Sequence, residues 1–287
     1  MYADTQTCYK HPDQQAGVIC QRCDRPICPK CMHQASVGFH CPECTKQGAQ
    51  QVYQGIPAIR TKPVLTMVLI GINVAVFVLG IVISGPDSIM DGSNRMIRDF
   101  GLAAPPIYQG EYYRLITSGF LHGGLLHIAL NMWVLWLLGQ AMEIMGKRSE
   151  YAAVYLASLL AGGLGALVID PDLLTVGASG AIFGLAGAII MAQRSRGIPF
   201  RQSGLFWFVV INAVISVSLP GISWGGHLGG FIGGAITGWA FYDLGRRPST
   251  KPWVPWVVTG VTCVVLALLC VNVSTTWVHD QLFLVTN

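Results

Sequence analysis

The stretch from residue 224 to residue 243 reads WGGHLGGFIGGAITGWAFYD, and it combines a regular run of glycines with a histidine. Its glycines recur at every fourth position on one helix face, at Gly226, Gly230, Gly234 and Gly238. Small residues at this spacing let two helix backbones approach closely in lipid. His227 lies among them, and an ionisable group at membrane depth is costly and marks a functional site by default. We therefore expect a closely packed transmembrane helix that carries a functional histidine.

A second glycine-rich stretch, GASGAIFGLAG at residues 177–187, places a serine near the start of another apolar segment. Its glycines predict close packing against the segment of His227, which would bring Ser179 to His227. Serine is a weak nucleophile until a base takes its proton, and neutral imidazole is suited to that role. Since no carboxylate lies among the apolar residues of either segment, the pair predicts a Ser179–His227 dyad rather than a triad.

The segment HGGLLHIALN at residues 122–131 supplies further hydrogen-bond donors. His127 and Asn131 are four residues apart, so they project from one face of a helix. Acyl transfer needs donors aimed at the oxyanion that develops on the attacked carbonyl. Together with the backbone N–H of Ser179, these two side chains predict an oxyanion hole.

Each of these residues also has a structural interpretation. Ser179 could bond back to its own helix, His227 could be a satisfied structural histidine, and His122 could be interfacial. In that case the chain would be a membrane scaffold whose polar residues only pack. The coincidence of a serine, a histidine and the His127–Asn131 face at one depth in glycine-rich segments favours a hydrolase.

The composition is that of an integral membrane protein with one small soluble segment. Of the 287 residues, 52% are hydrophobic and 11% are charged, whereas about 25% are charged in a typical soluble domain. Crossing a bilayer takes roughly 20 apolar residues per helix. Seven segments are long enough, at residues 63–84, 120–142, 149–169, 177–193, 204–221, 224–243 and 253–273.

The distribution of basic residues predicts the orientation of these spans in a cell membrane. Ten basic residues fall in alternate connections, namely Arg60, Lys62, Lys147, Arg148, Arg194, Arg196, Arg201, Arg246, Arg247 and Lys251. By the positive-inside rule the N-terminus is cytoplasmic and the C-terminus is outside. Residues 1–30 lack the apolar segment of a signal peptide, so we expect them to remain in the cytoplasm. Because the basic residues flank apolar segments, the net charge of +4 does not indicate nucleic-acid binding.

The N-terminal segment, residues 1–46, is rich in metal-ligand side chains. They come in four pairs, Cys8 with His11, Cys20 with Cys23, Cys28 with Cys31, and Cys41 with Cys44. Eight ligands suffice for two tetrahedral zinc sites, and metal binding would hold together a module too small for a core. Disulfides are disfavoured in a reducing cytoplasm. The order of the pairs leaves sequential and crossed pairing open, and His33 or His40 could replace a cysteine.

At the residues quoted above, the chain resembles the rhomboid family of intramembrane serine proteases. The stretch Gly177–Gly180 looks like the family's GxSG motif, and His227 with Gly230 and Gly234 matches its HxxGxxxG pattern. His127 and Asn131 match the family's residues at the oxyanion site, and His122 matches an additional upstream histidine. Two positions depart from the family pattern: Tyr113-Arg114 stands where Trp-Arg is common, and Phe183 stands where tyrosine is common.

The resemblance covers about residues 63–243 and implies an all-α polytopic membrane protein, a rhomboid-like bundle of six core helices plus a seventh. The Cys/His pairs add a small cytoplasmic zinc-binding domain. The resemblance also implies cleavage of transmembrane protein substrates near the outer ends of their helices, without a catalytic cofactor. A catalytically silent relative that binds transmembrane clients is the alternative, but such relatives usually lack the serine or the histidine. The expected divisions are residues 1–46 (zinc-binding module), 47–62 (linker), 63–243 (protease core), 244–273 (loop and seventh helix) and 274–287 (outside tail).

The cysteine-rich module resembles a B-box-type zinc finger, which implies crossed pairing of its ligands. One zinc ion would take Cys8, His11, Cys28 and Cys31, and the other would take Cys20, Cys23, Cys41 and Cys44. Basic and acidic residues are nearly balanced in the module, which argues against nucleic-acid binding because such binding needs a basic face. A cytoplasmic protein partner for the module is therefore a hypothesis.

Overall fold

A computed structural model describes residues 6–35, 37–48, 62–91, 94–218 and 221–286. The chain forms two compact units, Met1–Arg60 and Thr61–Asn287. Most of the linker expected at residues 47–62 lies outside the described residues.

The N-terminal unit consists of two short hairpins followed by a helix. Strand β1 (Val18–Ile19) pairs antiparallel with β2 (Pro26–Ile27), and β3 (His33–Gln34) pairs antiparallel with β4 (Phe39–His40). Helix α1 (Pro42–Gly48) follows. The buried cluster of this unit consists of Ile27 and six cysteines, Cys8, Cys20, Cys28, Cys31, Cys41 and Cys44. A core made almost entirely of cysteine sulfur is typical of a module that metal binding stabilises.

The second unit is helical, which confirms the predicted all-α polytopic membrane fold. Its helices are α2 (Val64–Ser84), α3 (Ser88–Asp91), α4 (Arg95–Phe100), α5 (Ala104–Tyr108), α6 (Arg114–Thr117), α7 (Leu125–Met145), α8 (Arg148–Ile169), α9 (Ser179–Arg194), α10 (Phe206–Ser218), α11 (Trp224–Tyr242) and α12 (Val254–Thr286). Helices α2 and α7 to α12 overlap the seven predicted spans, although α7 begins only at Leu125 and α12 extends well beyond residue 273.

The helices differ in their capacity to cross a bilayer alone. Among the described residues, four helices are long and apolar enough, namely α2, α7, α8 and α12. Helices α9 and α10 are apolar but have only 16 and 13 residues. At 1.5 Å per residue, α9 is about 24 Å long, shorter than the roughly 30 Å hydrocarbon core. A polar helix end at membrane depth is tolerated where protein or a water-filled cavity surrounds it.

Glycines bring α11 into backbone contact with α9, as the four-residue spacing predicts. A Cβ atom added at Gly230 would overlap the carbonyl of Gly180, and one added at Gly234 would overlap the carbonyl of Gly184. Since neither position has room for a side chain, α9 and α11 contact each other through their main chains. This packing fixes the relative positions of Ser179 and His227.

A second glycine face of α11 packs against α8, and the sequence analysis did not identify it. A Cβ atom at Gly225 would overlap the carbonyl of Gly165, and one at Gly229 would overlap the carbonyl of Ala161. Helix α11 therefore has two adjacent glycine faces, one that contacts α9 and one that contacts α8. It packs closely against two helices at once.

Helix α10 is peripheral. Its side chains at Trp207, Val214 and Val217 are 66%, 57% and 69% exposed, and Ser216 is the one buried residue described in this helix. Other helices therefore cover only a small part of the surface of α10.

Arg114 organises the long connection between α2 and α7. Its buried guanidinium donates to the carbonyls of Arg98 and Gly101, both at 2.8 Å, and to the carboxylate of Glu111 at 2.6 Å. The hydrogen bond from Arg114 holds the pKa of Glu111 below its usual range. The ring of Tyr113 packs edge-on against Phe100, with ring centroids 5.8 Å apart. Arg114 thus holds the backbone of this connection in place.

The last helix is longer than expected. Residues 274–287 are predicted as a tail, but α12 has 33 residues and continues to Thr286 without a break. The reason is local, because this part of the sequence contains neither glycine nor proline to end the helix.

Candidate active site

The four residues predicted for catalysis line one cavity of about 1390 Å³. Ser179 begins α9, His227 lies in the first turn of α11, and His127 and Asn131 lie in the first two turns of α7. Side chains of α7 and α10 form much of the remaining wall. The cavity thus includes the N-terminal ends of α7, α9 and α11, and it extends along α7 to Ala141 and along α9 to Gln193.

A glycine-dependent turn presents Ser179. Gly177 has φ +125°, which L side chains rarely adopt, and a Cβ atom there would lie 2.9 Å from Nε2 of His127. The N–H of Gly177 donates to the carbonyl of Ser118 at 3.0 Å, which fixes the turn before α9 begins. Within the described part of the chain, the Ser179 hydroxyl forms no hydrogen bond. In this arrangement Ser179 therefore makes no hydrogen bond to His227.

His227 is held on two sides. Its ring stacks on Phe183 with centroids 4.2 Å apart and planes 12° from parallel. Its Nδ1 lies 2.6 Å from the hydroxyl oxygen of Ser216 on α10. Phe183 is one helical turn after Ser179, so it lies on the same side of α9 and provides the stacking surface without a hydroxyl. With Nδ1 engaged, Nε2 is the ring nitrogen available for proton transfer.

Backbone contact between α9 and α11 continues up to the two candidate residues. A Cβ atom at Gly180 would lie 3.3 Å from the carbonyl oxygen of Gly226. Gly180 directly follows Ser179, and Gly226 directly precedes His227. The candidate nucleophile and base therefore flank the point where the two helices meet.

The candidate oxyanion donors line the same cavity as Ser179, and the ring of His127 lies next to the turn at Gly177. The N–H of Gly123 donates to Nδ1 of His127 at 3.3 Å, so a neutral ring carries its proton on Nε2, which faces Gly177. The amide nitrogen of Asn131 donates to the carbonyl of His127 at 2.9 Å and has a second N–H to offer. The first N–H groups of α9 have no partners within the helix. These groups can stabilise negative charge on a carbonyl oxygen next to Ser179.

His122 does not line the cavity. It is 2% exposed, its ring lies 5.0 Å from that of His127, and neither of its nitrogens has a hydrogen-bond partner among the described residues. His122 therefore packs against His127 without reaching the cavity.

Ser216 is a residue at the site that the sequence analysis missed. Its signal was a polar residue within the apolar stretch that forms α10, the same kind of signal that identified Ser179. Without α10 placed against α11, the sequence offered no reason to connect Ser216 with His227.

Two further clusters lie in the N-terminal unit, and each could hold a metal ion. They consist of Cys8, His11, Cys28 and Cys31, and of Cys20, Cys23, Cys41 and Cys44, and in each cluster the ligand atoms all lie within 4.8 Å of one another. This is the crossed arrangement of the four pairs. His33 and His40 belong to neither cluster.

The donor sets fit tetrahedral zinc. The sulfur atoms of Cys31, Cys28 and Cys8 lie 3.3, 3.5 and 3.9 Å from Nδ1 of His11. In the other cluster, the sulfurs of Cys23 and Cys41 are 3.8 Å apart. Ligands placed tetrahedrally around zinc at its usual bond lengths are separated by roughly 3.5–3.8 Å. Backbone N–H groups of Cys41 and Cys44 donate to the sulfurs of Cys20 and Cys41, as expected for thiolate ligands.

Comparison with known proteins finds a Rhomboid domain at residues 109–244. The rhomboid protease GluP of Bacillus subtilis is 32% identical over 193 residues, which cover 66% of this chain and 37% of that relative. RHOMBOID-like protein 5 of Arabidopsis thaliana is 32% identical over 139 residues, 46% of this chain and 45% of that relative. The rhomboid relative YdcA of Bacillus subtilis is 33% identical over 137 residues, 45% of this chain and 67% of that relative. The chain thus spans less than half of the first two relatives.

Proposed function

Because the chain belongs to the rhomboid family, we propose that it is an intramembrane serine endopeptidase that hydrolyses peptide bonds in or near transmembrane helices. Ser179 is the nucleophile and His227 is the general base. The observation that carries this proposal is their placement at the contact between α9 and α11, on one cavity, with His227 stacked on Phe183.

The proposed reaction needs no catalytic cofactor. Nε2 of His227 takes the hydroxyl proton as Oγ of Ser179 attacks the peptide carbonyl. Negative charge then develops on the carbonyl oxygen, where His127, Asn131 and the backbone N–H of Ser179 donate hydrogen bonds. The protonated His227 gives its proton to the leaving amine, and an acyl-enzyme on Ser179 remains. Water, activated by His227, hydrolyses this ester and restores the serine.

The walls of the cavity support a substrate route from the membrane. Leu130 and Trp133 of α7 line one side, and Phe208 and Ile215 of α10 line another. A transmembrane helix hides its carbonyls in its own hydrogen bonds, so it must unwind locally before attack. Substrates should therefore contain small or helix-breaking residues near the cleaved bond.

Replacement of His227 by alanine tests the function directly. The purified chain in detergent should cleave a model single-span substrate, and His227→Ala should lower the rate by at least about 10³-fold because the base is lost. His279→Ala is the matched control, since this exposed histidine near the end of α12 is outside the cavity. A folded wild-type chain that binds the substrate helix without cutting it would favour the client-binding alternative instead.

The proposed placement in the membrane has a cytoplasmic N-terminus and an external C-terminus, with the active site toward the outer side. Basic residues next to the C-terminal ends of α7, α9 and α11 support this orientation. We retain the expected division of the chain into module, linker, protease core and seventh helix as part of the proposal. A cytoplasmic protein that binds the module remains the proposed partner besides the membrane-protein substrates.

For the N-terminal unit, we propose two structural zinc ions, one in each Cys/His cluster. Bound zinc would stabilise hairpins that have almost no apolar core of their own. It would take no part in the hydrolysis.

Metal analysis of the full chain tests the zinc sites. Protein purified under reducing conditions without chelators should contain two zinc ions per chain, one for each cluster. Cys28→Ser and Cys41→Ser should each remove about one of them, because one thiolate in four is lost from a different site. Cys263→Ser, in α12, should change nothing. Wild-type protein with no bound zinc, or equal zinc content in all variants, would contradict the assignment.

A further inference from the structure

Ser216 forms the one side-chain hydrogen bond that joins α10 to another helix within the described part of the chain. Its hydroxyl oxygen lies 2.6 Å from the carbonyl oxygen of Asn212 and 2.6 Å from Nδ1 of His227. The side chain is 4% exposed on a helix that is otherwise largely exposed. Two short contacts at a buried hydroxyl form a chain from Asn212 through Ser216 to His227.

The chemistry of the two partners fixes the direction of this chain. A carbonyl oxygen only accepts, so the single proton of the Ser216 hydroxyl is donated to Asn212, one turn earlier in α10. The oxygen of Ser216 is then the acceptor in its contact with His227, so Nδ1 carries the proton. In a neutral imidazole this leaves the lone pair on Nε2. That is the tautomer a base needs when its Nε2 faces the nucleophile.

We propose that Ser216 is a positioning residue that selects the Nδ1–H tautomer of His227 and holds its ring in place. The inference deepens the proposed function and rests on it, because it takes His227 to be the base. A serine hydroxyl on α10 occupies the role that a carboxylate has in Ser-His-Asp triads, where the third group orients the imidazole and sets its tautomer. The hydroxyl is neutral, so its contribution is smaller than that of a carboxylate.

The Ser216–His227 hydrogen bond also makes the state of the base depend on the position of α10. Phe208 of α10 packs against Phe183, with ring centroids 5.8 Å apart, and Phe183 is stacked on His227. Helix α10 thus contacts the ring directly through Ser216, and Phe208 supports it indirectly by packing against Phe183. Moving α10 away from α11 would break the Ser216–His227 hydrogen bond, so the base has its reactive tautomer fixed only while α10 is in contact with α11.

Ser216→Ala should lower kcat by about tenfold, as expected for the loss of one neutral hydrogen bond, with little change in KM. Ser216→Thr, which keeps the hydroxyl, should recover most of the rate. Ser218→Ala is the matched control, because this serine is exposed two residues later on α10. The same variants are measured with the same substrate in detergent.

A tautomer measurement keeps the inference testable apart from activity. In ¹⁵N-histidine-labelled protein, the signal that His227→Ala removes should report a proton on Nδ1 in the wild type. In Ser216→Ala it should shift toward the Nε2–H form. A wild-type Nε2–H signal would overturn the inference, as would unchanged kcat and tautomer in Ser216→Ala while Ser179→Ala is inactive. A wild-type chain without activity would instead refute the proposed function. The tautomer signal would then still show whether Ser216 accepts a hydrogen bond from Nδ1 of His227.

Discussion

Replacing Ser179 by alanine should lower proteolysis by at least about 10⁴-fold and should abolish labelling by a fluorophosphonate, since both reactions need its oxygen as nucleophile. The fold should be unaffected. The hydroxyl makes no hydrogen bond with any described residue, so its removal leaves no buried partner unsatisfied. We expect the free energy of unfolding to change by less than about 0.5 kcal/mol.

Ser195→Ala is the control for this prediction. Ser195 directly follows α9 at its other end, its hydroxyl donates to the carbonyl of Ala192 at 2.9 Å, and it does not line the cavity. Activity should persist in this variant. Equal cleavage by Ser179→Ala and Ser195→Ala would mean that another group is the nucleophile, and that Ser179 only packs at the start of α9.

Gly234→Val should have the largest effect on folding. The new Cβ atom would overlap the carbonyl oxygen, carbonyl carbon and Cα of Gly184, which are backbone atoms and cannot rotate away. Helices α9 and α11 would have to separate, at a cost of about 3 kcal/mol or more. We expect the Tm in detergent to fall by roughly 6 °C or more, together with loss of cleavage because Ser179 and His227 move apart.

The same substitution at Gly260 is the control. Gly260 lies in α12, and a Cβ atom there would have no neighbour within 4 Å. Gly260→Val therefore tests the effect of valine in an apolar helix without the steric overlap. If both variants have the Tm of the wild type, α9 and α11 do not pack through their glycines as described.

The packing of α9 on α11 could be predicted from the sequence because it depends on a local regularity. Glycine at every fourth position defines a helix face whatever lies opposite. The face of α11 that contacts α8 was missed, since Gly225, Gly229 and Gly233 interleave with the first set and only the position of α8 shows that both faces are used.

The role of Ser216 could not be predicted for a related reason. Ser216 and His227 are joined across a break between two helices, and no spacing rule connects a serine near the end of one helix to a histidine in the next. The tautomer of His227 depends in turn on the carbonyl of Asn212, a backbone group common to every residue. Only the three-dimensional arrangement identifies that acceptor.

The metal clusters could be predicted from the sequence only in part. The spacing of the Cys/His pairs indicated two four-ligand sites but left their pairing open. In the structure the hairpins β1–β2 and β3–β4 bring alternate pairs together, so that Cys20 and Cys23 meet Cys41 and Cys44. The hairpins that connect the pairs, rather than the spacing within each pair, determine which ligands come together.

The most direct test of the central claim, that Ser179 is activated by His227, is to locate the fluorophosphonate adduct on the wild-type chain by mass spectrometry of its peptides. We predict one adduct, on the peptide that contains Ser179, and none on the same peptide of His227→Ala. An adduct on a different serine, or a chain that cleaves its substrate while Ser179 remains unmodified, would contradict the account.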